Sequence, residues 1–283
     1  MKRPPLRYHG GKWVLAPWIV SHFPDHTCYV EPFGGGASVL MQKPPSRIEV
    51  YNDQWSAVVR FMRVLRERTD ELVHAVRCTP FARDEYEVCR TRARSDEPMD
   101  DVEFARCFYG ESWMGGWTGI GLEKRTGWRR SKFRDPTQSY RDVDDLYEFA
   151  DRLRRVQIDN RSASEVLRVF DSPDTLHYVD PPYVTSTRGV RWKGDDYVHA
   201  LSDRDHIELL EQLCSAEGLV VLSGYDCPLY RELIPGWQRL EAAAVRGNGT
   251  AATESLWLSP RVTASLAEAE PDSLGGLPLF DSA

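Results

Sequence analysis

The apolar and polar positions of this chain follow two different patterns in turn. Near the start, short apolar runs predict strands at 28–30 and 47–51, and an apolar stretch predicts a helix over 13–23. A glycine-rich turn at 31–38 and a short helical run to about Gln42 separate the two strands. Strand, glycine turn, helix and strand in succession are typical of the start of a doubly wound sheet.

Between 55 and 154 the pattern changes to helical spacing. Apolar residues recur three and four positions apart in two stretches, namely Val58, Val59, Met62 and Leu65, and then Val102, Phe104, Ala105 and Phe108. No strand signal occurs in this segment, which is too long to be one crossover helix. We therefore predict a helical subdomain, 55–154, inserted into the sheet.

The strand pattern returns after 155. Apolar runs predict strands at 156–158, 175–179, 218–223, 239–245 and 255–258, with a helix around 163–170. Ser202 and Asp205 have the spacing of a capping box that begins a helix to Ala216.

The predicted fold class is therefore α/β, a Rossmann-like sheet formed by 1–54 and 155–263 with the helical insertion between them. The Ala-, Glu-, Pro- and Gly-rich residues 264–283 are predicted to form a flexible tail.

Composition narrows the classes of function. The 283 residues carry a net charge of −7, so any surface for a polyanion has to be local. The six cysteines form no C-x-x-C pair and the histidines form no H-E-x-x-H motif, so we expect reduced thiols and no metal site. The N-terminal residues lack the apolar core of a signal peptide and no run has transmembrane length. These features predict a cytoplasmic protein without a membrane partner.

Two candidate site segments follow the first two predicted strands. The glycines of 31–38 allow the backbone to approach a ligand closely and to turn sharply. Asp53 lies 17 to 19 residues beyond Gly34, Gly35 and Gly36, an interval typical of an acid that accepts hydrogen bonds from ribose hydroxyls. An N-cap for the next helix is an equal alternative for Asp53. No G-x-x-x-x-G-K-[ST] motif is present, which disfavours ATP binding.

The third segment, Asp180-Pro181-Pro182-Tyr183, follows the strand at 175–179. Proline fixes φ and removes a donor, and the residue before a proline is extended. The tetrapeptide is therefore a stiff corner rich in acceptors beside an aromatic ring, which suits an exocyclic amino group such as adenine N6 or cytosine N4. An ordinary turn at the end of a strand is the alternative.

A basic loop occupies 124–134 inside the helical segment. Its cationic residues are Lys124, Arg125, Arg129, Arg130, Lys132 and Arg134, with Trp128 and Phe133 interleaved. Dense cations in an otherwise acidic chain favour DNA phosphate contacts and base-edge contacts. A solvated charged loop is the alternative.

From near Leu6 to about Pro260, the order of these motifs resembles the D12-class DNA adenine-N6 methyltransferases of the GATC-methylase type, with the motifs in the alpha order. The resemblance lies in Tyr8-His9-Gly10-Gly11-Lys12, Glu31-Pro32-Phe33-Gly34-Gly35-Gly36, the insertion, Asp180-Pro181-Pro182-Tyr183, Ser223-Gly224-Tyr225 and Thr253-Glu254-Ser255-Leu256-Trp257.

The resemblance implies S-adenosylmethionine as cofactor. The residues that would contact it are Tyr8, Lys12, Glu31, Phe33, Gly34, Asp53 and Asp180. Lys12 would meet the methionine carboxylate and Asp53 the ribose. Where many relatives carry an acid after the third strand, this chain has Asn160-Arg161-Ser162-Ala163, so the contact with the cofactor adenine is open at this position.

The resemblance also implies a site-specific DNA-methyltransferase (adenine-specific) that acts on double-stranded DNA. The target adenine would leave the duplex, Tyr183 would stack on it, and Asp180 and the Pro181 carbonyl would accept hydrogen bonds from N6. Another amino group (cytosine N4, RNA adenine or a protein side-chain amide) and a nucleic-acid-binding module without turnover stay open. We expect a monomer. A restriction endonuclease partner in the same system, a phage origin and a housekeeping role are all compatible with the sequence.

Overall fold

The computed structural model describes residues 1–116, 119–122, 127–132, 135–184, 198–245 and 251–269. Its strands are β1 Cys28–Glu31, β2 Ile48–Asn52, β3 Gln157–Asp159, β4 Thr175–Val179, β5 Leu219–Gly224, β6 Gln238–Val245 and β7 Ala251–Leu258. Within this described part they form one sheet in the order β3-β2-β1-β4-β5-β7-β6. Neighbouring strands are parallel from β3 through β2, β1 and β4 to β5, whereas β7 is antiparallel to both β5 and β6. The predicted Rossmann-like fold class is confirmed.

Helices precede, separate and follow these strands. They are α1 Ala16–Val20, α2 Ser56–Glu67, α3 Thr69–Arg77, α4 Arg83–Arg92, α5 Asp101–Met114, α6 Gln138–Arg141, α7 Asp145–Leu153, α8 Ala163–Val169, α9 Asp203–Ser215, α10 Pro228–Leu233 and α11 Pro260–Ala269. Helices α2 to α7 all lie between β2 and β3, where the sequence predicts the helical segment. The capping box at Ser202 and Asp205 is present at the start of α9.

The helical segment shares its hydrophobic core with the sheet. The apolar residues predicted for α2 and α5 are all buried, because side chains three and four positions apart lie on one face of a helix. Phe108 of α5 and Leu146 of α7 belong to the same buried cluster as Tyr29 of β1 and Tyr51 of β2. The helices therefore extend the core of the sheet and do not form a second core of their own.

The strand order of the sheet reverses between β1 and β4. Val30 of β1 lies opposite Val50 of β2 on one side and His177 of β4 on the other. From β1 the chain proceeds outward to β2 and β3, and later in the opposite direction to β4 and β5. Open parallel sheets bind their ligands beyond the carboxyl ends of the strands at such a switch point. Glu31 and Asp180 lie at these two strand ends.

Two predicted helices and the predicted tail differ from the structure. The helix predicted over 13–23 is confined to Ala16–Val20, because Pro17 lacks a backbone donor and fits only the first turn of a helix. No helix runs to Gln42; the residues after Ala37 (φ 54°) form turns. The tail predicted from 264 begins too early, since the good helix formers of Pro260–Ala269 continue α11. Residues 270–283 lie outside the described residues.

A buried ionic cluster joins α7 to β2. Lys43 Nζ and Arg152 Nη2 each donate to Glu49 Oε1 over 2.7 Å, and Arg152 Nη1 donates to the second carboxylate oxygen. Burial alone would raise the pKa of Glu49, but the hydrogen bonds from Arg152 and Lys43 outweigh it and hold the pKa below its ordinary value. The charge of Glu49 therefore stabilises the position of α7 against the sheet.

Within the described ranges, no helix combines the length and the apolar character needed to cross a membrane.

Replacing Glu49 with Gln should lower the free energy of unfolding by about 3 kcal/mol, because two buried cations lose their shared anion. Urea denaturation measures the change. The control is Asp151→Asn, which removes an exposed partner of Arg154 and should change stability by less than about 0.5 kcal/mol. Equal effects of the two substitutions would contradict the role assigned to the cluster.

Candidate active site

A pocket opens beyond the carboxyl ends of β1, β2 and β4. Its lining includes Tyr8, Gly10, Gly11, Lys12, Glu31, Phe33, Gly34, Gly35, Asp53, Trp55, Gly121, Tyr178, Asp180, Pro181, Tyr183 and His199. The structure thus brings together every residue for which the sequence predicts a cofactor contact or a catalytic role. The separate roles of these residues remain predictions.

Asp53 fixes the glycine turn. Its Oδ2 accepts a hydrogen bond from the backbone N–H of Gly35 at 2.8 Å, and its Oδ1 accepts one from Trp55 at 2.7 Å. Burial raises the pKa of Asp53, and these two hydrogen bonds oppose the rise. The N-cap position of α2 is occupied by Trp55, so Asp53 is not the N-cap that the sequence left open. It joins the end of β2 to the turn after β1.

The turn itself is tightly packed against β2. The Tyr51 hydroxyl donates to the Gly35 carbonyl at 2.8 Å, and the Tyr51 ring lies against Gly34. A Cβ atom on Gly34 would lie 2.2 Å from Cε2 of that ring, so only glycine fits here. Gly35 has a φ of +46°, in the left-handed region that favours glycine.

Glu31 lies fully buried at the end of β1. Its Oε1 accepts hydrogen bonds from the Tyr29 hydroxyl at 2.7 Å and from the Leu40 backbone at 2.8 Å. Burial raises the pKa of Glu31 to about 7, although both hydrogen bonds favour the ionised form. Glu31 therefore holds the backbone after the glycine turn while it lines the pocket. Phe33 packs against the core on the β5 side of the sheet.

Lys12 and Asp180 form an ion pair at the centre of the pocket. Lys12 Nζ lies 2.8 and 2.9 Å from the two carboxylate oxygens and also donates to the Gly10 carbonyl at 2.9 Å. Burial alone would lower the pKa of Lys12, but the charges of Asp180 and Glu254 outweigh it and raise the pKa. Burial raises the pKa of Asp180 to about 6, against the opposing effect of Lys12. The predicted contact of Lys12 with a methionine carboxylate stays a prediction; its observed partner is Asp180.

Tyr183 is held by a residue to which the sequence assigned no role of its own. Its hydroxyl donates to Glu254 Oε1 at 2.7 Å, and its ring centroid lies 4.4 Å from that of Tyr225. Glu254 belongs to β7, which begins at Ala251 and so includes residues that the sequence assigned to a loop. The sequence signal that could have identified Glu254 is that it is an acid in a strand with no other charged residue.

The N-terminal motif is joined to the helical segment by backbone hydrogen bonds. His9 N donates to the Ile120 carbonyl at 2.8 Å, and Ile120 N donates to the Arg7 carbonyl at 3.0 Å. Gly121, with a φ of +103°, lies so close to the Tyr8 ring that an added Cβ would be 3.1 Å from Cε1. Gly121 therefore contributes to the wall of the pocket, in a segment held there by the backbone of Ile120.

The basic loop is only partly described. Lys124, Arg125, Phe133 and Arg134 lie outside the described residues. Arg130 and Lys132 are exposed and Arg129 is half-buried, with its backbone N–H bonded to the Met114 carbonyl at 2.7 Å.

Trp128 packs inward, with Phe81 at 5.9 Å and the Arg83 guanidinium 5.1 Å above its ring. Trp128, which the sequence shows interleaved with the cations of the loop, therefore anchors this loop to the helical segment.

Asn160 supports the site from the end of β3. Its Nδ2 donates to the Asp53 carbonyl at 2.7 Å, and its Oδ1 accepts from the Ser56 hydroxyl at 2.9 Å. Ser162 caps α8. In this chain, Asn160, in the segment after β3, therefore holds the loop that follows β2.

Among the described residues, no group of three or more His, Cys, Asp and Glu side chains has the arrangement of a metal site.

This sheet order, with its antiparallel β7 and a pocket at the switch point, is that of a Rossmann-like methyltransferase. The family model of the D12 class N6 adenine-specific DNA methyltransferases matches residues 8–248. The chain belongs to this family, and its function is DNA adenine methylation.

Curated relatives carry the same activity in their names. The chain is similar to the DNA adenine methylase of Escherichia coli (strain K12), with 26% identity over 231 residues, 80% of this chain and 82% of the relative. The DNA adenine methylase of Salmonella typhi matches to the same extent. That of Vibrio cholerae serotype O1 is 24% identical over 239 residues, 82% of this chain and 85% of the relative.

Replacing Gly34 with Ala should lower the free energy of unfolding by about 2 kcal/mol, because the new methyl group overlaps the buried Tyr51 ring. The matched control is Gly127→Ala, since a Cβ atom there meets no atom within 4 Å. That variant should stay within about 0.5 kcal/mol of the unmodified protein. Chemical denaturation compares the two variants, and equal stability would contradict the packing described for the turn.

Proposed function

We propose that this chain is a site-specific DNA-methyltransferase (adenine-specific) that transfers a methyl group from S-adenosylmethionine to N6 of an adenine in double-stranded DNA. The observation that carries the proposal is the Asp180 carboxylate, held by Lys12 at the carboxyl end of β4 and facing the glycine turn. An exocyclic amino group bound in the pocket would need a hydrogen-bond acceptor at this point.

The residues of the pocket fit S-adenosylmethionine. The lining carries three carboxyl side chains, Glu31, Asp53 and Asp180, against the ammonium of Lys12. An acidic lining suits a ligand that carries a sulfonium cation and an α-ammonium group. The glycine turn permits close approach of the backbone, and Asp53 at the end of β2 is positioned for ribose hydroxyls. When bound, S-adenosylmethionine supplies an electrophilic methyl group.

Asp180, Pro181 and Tyr183 would orient the target base. Adenine N6 is not accessible within the stacked duplex, so the nucleotide has to be extruded into the pocket. The Asp180 carboxylate and the Pro181 carbonyl accept hydrogen bonds from the N6 amino group, which directs its lone pair toward the cofactor side. Tyr183 provides the aromatic face for the base. Positioning and electrostatic preorganisation supply the rate, and no covalent nucleophile is required.

DNA would lie against the helical segment that completes the pocket wall. Arg129, Arg130 and Lys132 are described cations of a loop that bonds to the end of α5 through Arg129 N and the Met114 carbonyl, and residues 119–122 of the same segment pair with the Tyr8 segment. We further propose that the protein acts as a cytoplasmic monomer, and a restriction endonuclease in the same system is one partner compatible with this activity.

The decisive experiment incubates the purified protein and labelled S-adenosylmethionine with DNA, RNA and protein in parallel. Label should enter DNA, and single-molecule sequencing of genomic DNA that lacks N6-methyladenine should then identify the modified sites. Label in cytosine, RNA or protein would overturn the substrate assignment. If label enters none of the three, the alternative of a nucleic-acid-binding module without turnover would replace the proposed function.

Asp180→Ala should reduce methyl transfer by roughly 100- to 1000-fold or more, because the acceptor for N6 is lost, while DNA binding is largely retained. Steady-state kinetics and a DNA-binding titration measure the two effects. Asp174→Ala is the matched control, since Asp174 is exposed at the opposite end of the same strand. Near-normal turnover of Asp180→Ala would exclude the assigned role.

Neutralising Arg129 and Arg130 together should weaken DNA binding and lower the slope of log affinity against log salt concentration by about 1 to 2, one unit for each lost phosphate contact. The control replaces two exposed arginines outside this loop, Arg168 of α8 and Arg204 of α9. An unchanged slope in the Arg129/Arg130 variant would remove these residues from the DNA interface.

A further inference from the structure

One buried carboxylate of the pocket region has no role in the chemistry described above. Glu254 is only 5% exposed and lies on β7. Its Oε1 accepts hydrogen bonds from the Tyr183 hydroxyl at 2.7 Å and from the Ser223 hydroxyl at 3.3 Å, and lies 3.9 Å from Lys12 Nζ. Burying a charge is costly unless it is paired and hydrogen-bonded. Among the described residues, the side-chain partners of Glu254 are Tyr183 and Lys12 of the pocket and Ser223 of the neighbouring strand β5.

We propose that Glu254 is a positioning residue for methyl transfer, which anchors the Tyr183 hydroxyl and shares Lys12 with Asp180. The inference rests on the proposed function, because it concerns the same acceptor and the same aromatic ring. It adds a residue from the antiparallel end of the sheet to a site otherwise built at the ends of parallel strands.

The first part of the role is mechanical. Pro181 and Pro182 restrict the backbone before Tyr183, but they leave the side-chain torsions of Tyr183 undetermined. A hydrogen bond from a hydroxyl to an ionised carboxylate is among the strong ones in proteins. With the hydroxyl bound to Glu254 and the ring beside Tyr225, the orientation of the ring is fixed before a base arrives. An anchored ring loses less conformational entropy when it stacks.

The second part is electrostatic. One ammonium, that of Lys12, faces two carboxylates, and Asp180 holds the shorter contacts. The ionisable groups that interact with Asp180 are Lys12, Glu31, Tyr178, Glu254 and Tyr230. Burial raises the pKa of Asp180 to about 6, Lys12 opposes the rise, and the like charge of Glu254 adds to it. Removal of the Glu254 charge should therefore lower the pKa of Asp180.

The sign of the effect on rate follows from the state in which Asp180 works. Only the ionised carboxylate accepts hydrogen bonds through both oxygens, so turnover should fall as the pH falls through the pKa of Asp180. In a variant without the Glu254 charge, the same fall should occur at lower pH. A residue with a purely structural role would change stability without moving this limb of the profile.

The test compares the pH dependence of kcat for the unmodified enzyme and Glu254→Gln. The Gln amide oxygen can still accept from the Tyr183 hydroxyl, so this substitution removes the charge and keeps the anchor. The acid limb should move down by roughly one pH unit, as expected for the loss of one neighbouring like charge. An acid limb at the unmodified position would overturn the electrostatic part of the proposal.

A double-mutant cycle tests the mechanical part. Tyr183→Phe removes only the hydroxyl, and Glu254→Ala removes the anchor together with the charge. Each should lower kcat with little change in the KM for DNA, and the double variant should be no slower than Glu254→Ala alone, because residues that act through one contact are not additive. Additive losses would overturn the proposal that Glu254 acts through Tyr183.

Two controls separate these outcomes from loss of structure or of function. Glu49→Gln removes another buried carboxylate of the same sheet, outside the pocket, and should lower stability while the acid limb of kcat stays in place. Asp180→Ala is assayed alongside. If the unmodified enzyme methylates DNA and Asp180→Ala does not, unchanged Glu254 variants would refute this inference alone. Absence of methyl transfer by the unmodified enzyme would refute the proposed function instead.

Discussion

The buried ammonium of Lys12 is the interaction on which the arrangement of the pocket depends. It joins the N-terminal motif to Asp180 across 168 positions of sequence, and it offsets negative charge that the carboxyl ends of two strands bring together. Without this cation, Asp180 would be a carboxylate desolvated beside Glu31 and Glu254, and its pKa would rise further. The availability of Asp180 as an acceptor is therefore determined by a residue that precedes the first strand.

The remaining geometry follows from the way parallel strands end. β1, β2 and β4 are neighbours with a common direction, so Glu31, Asp53 and Asp180 reach one edge of the sheet without any special arrangement of the loops. Each carboxylate then serves the backbone or side chain next to it: Glu31 holds Leu40, and Asp53 holds Gly35 and Trp55. The carboxylates that are suited to contact a ligand therefore also hold the walls of the pocket in place.

This dependence on strand ends explains how far the sequence could predict the site. A residue that directly follows a recognisable parallel strand, such as Asp53 or Asp180, can be placed from the strand pattern alone. Glu254 could not be placed in this way, because β7 enters the sheet between β5 and β6 in the opposite direction, and its register decides which side chain faces Tyr183. The partner of Lys12 was missed for a related reason, since spacing along the chain carries no information on a contact between distant segments. The turns after Ala37 are a local feature that the apolar pattern did not predict, and α11 continues because its residues are good helix formers, which the composition of the tail concealed.

The pairing of residues 119–122 with the Tyr8 segment has a consequence for the architecture of the enzyme. The described strands of the Rossmann-like sheet all lie outside the helical segment between β2 and β3. The pocket, in contrast, includes part of that segment, because Gly121 lines it and Ile120 is the backbone partner of His9. A shortened chain that keeps only the sheet would lack one side of its binding cavity. The helical segment therefore contributes to the pocket as well as to the hydrophobic core of the sheet, and it could not be exchanged between relatives as an independent module.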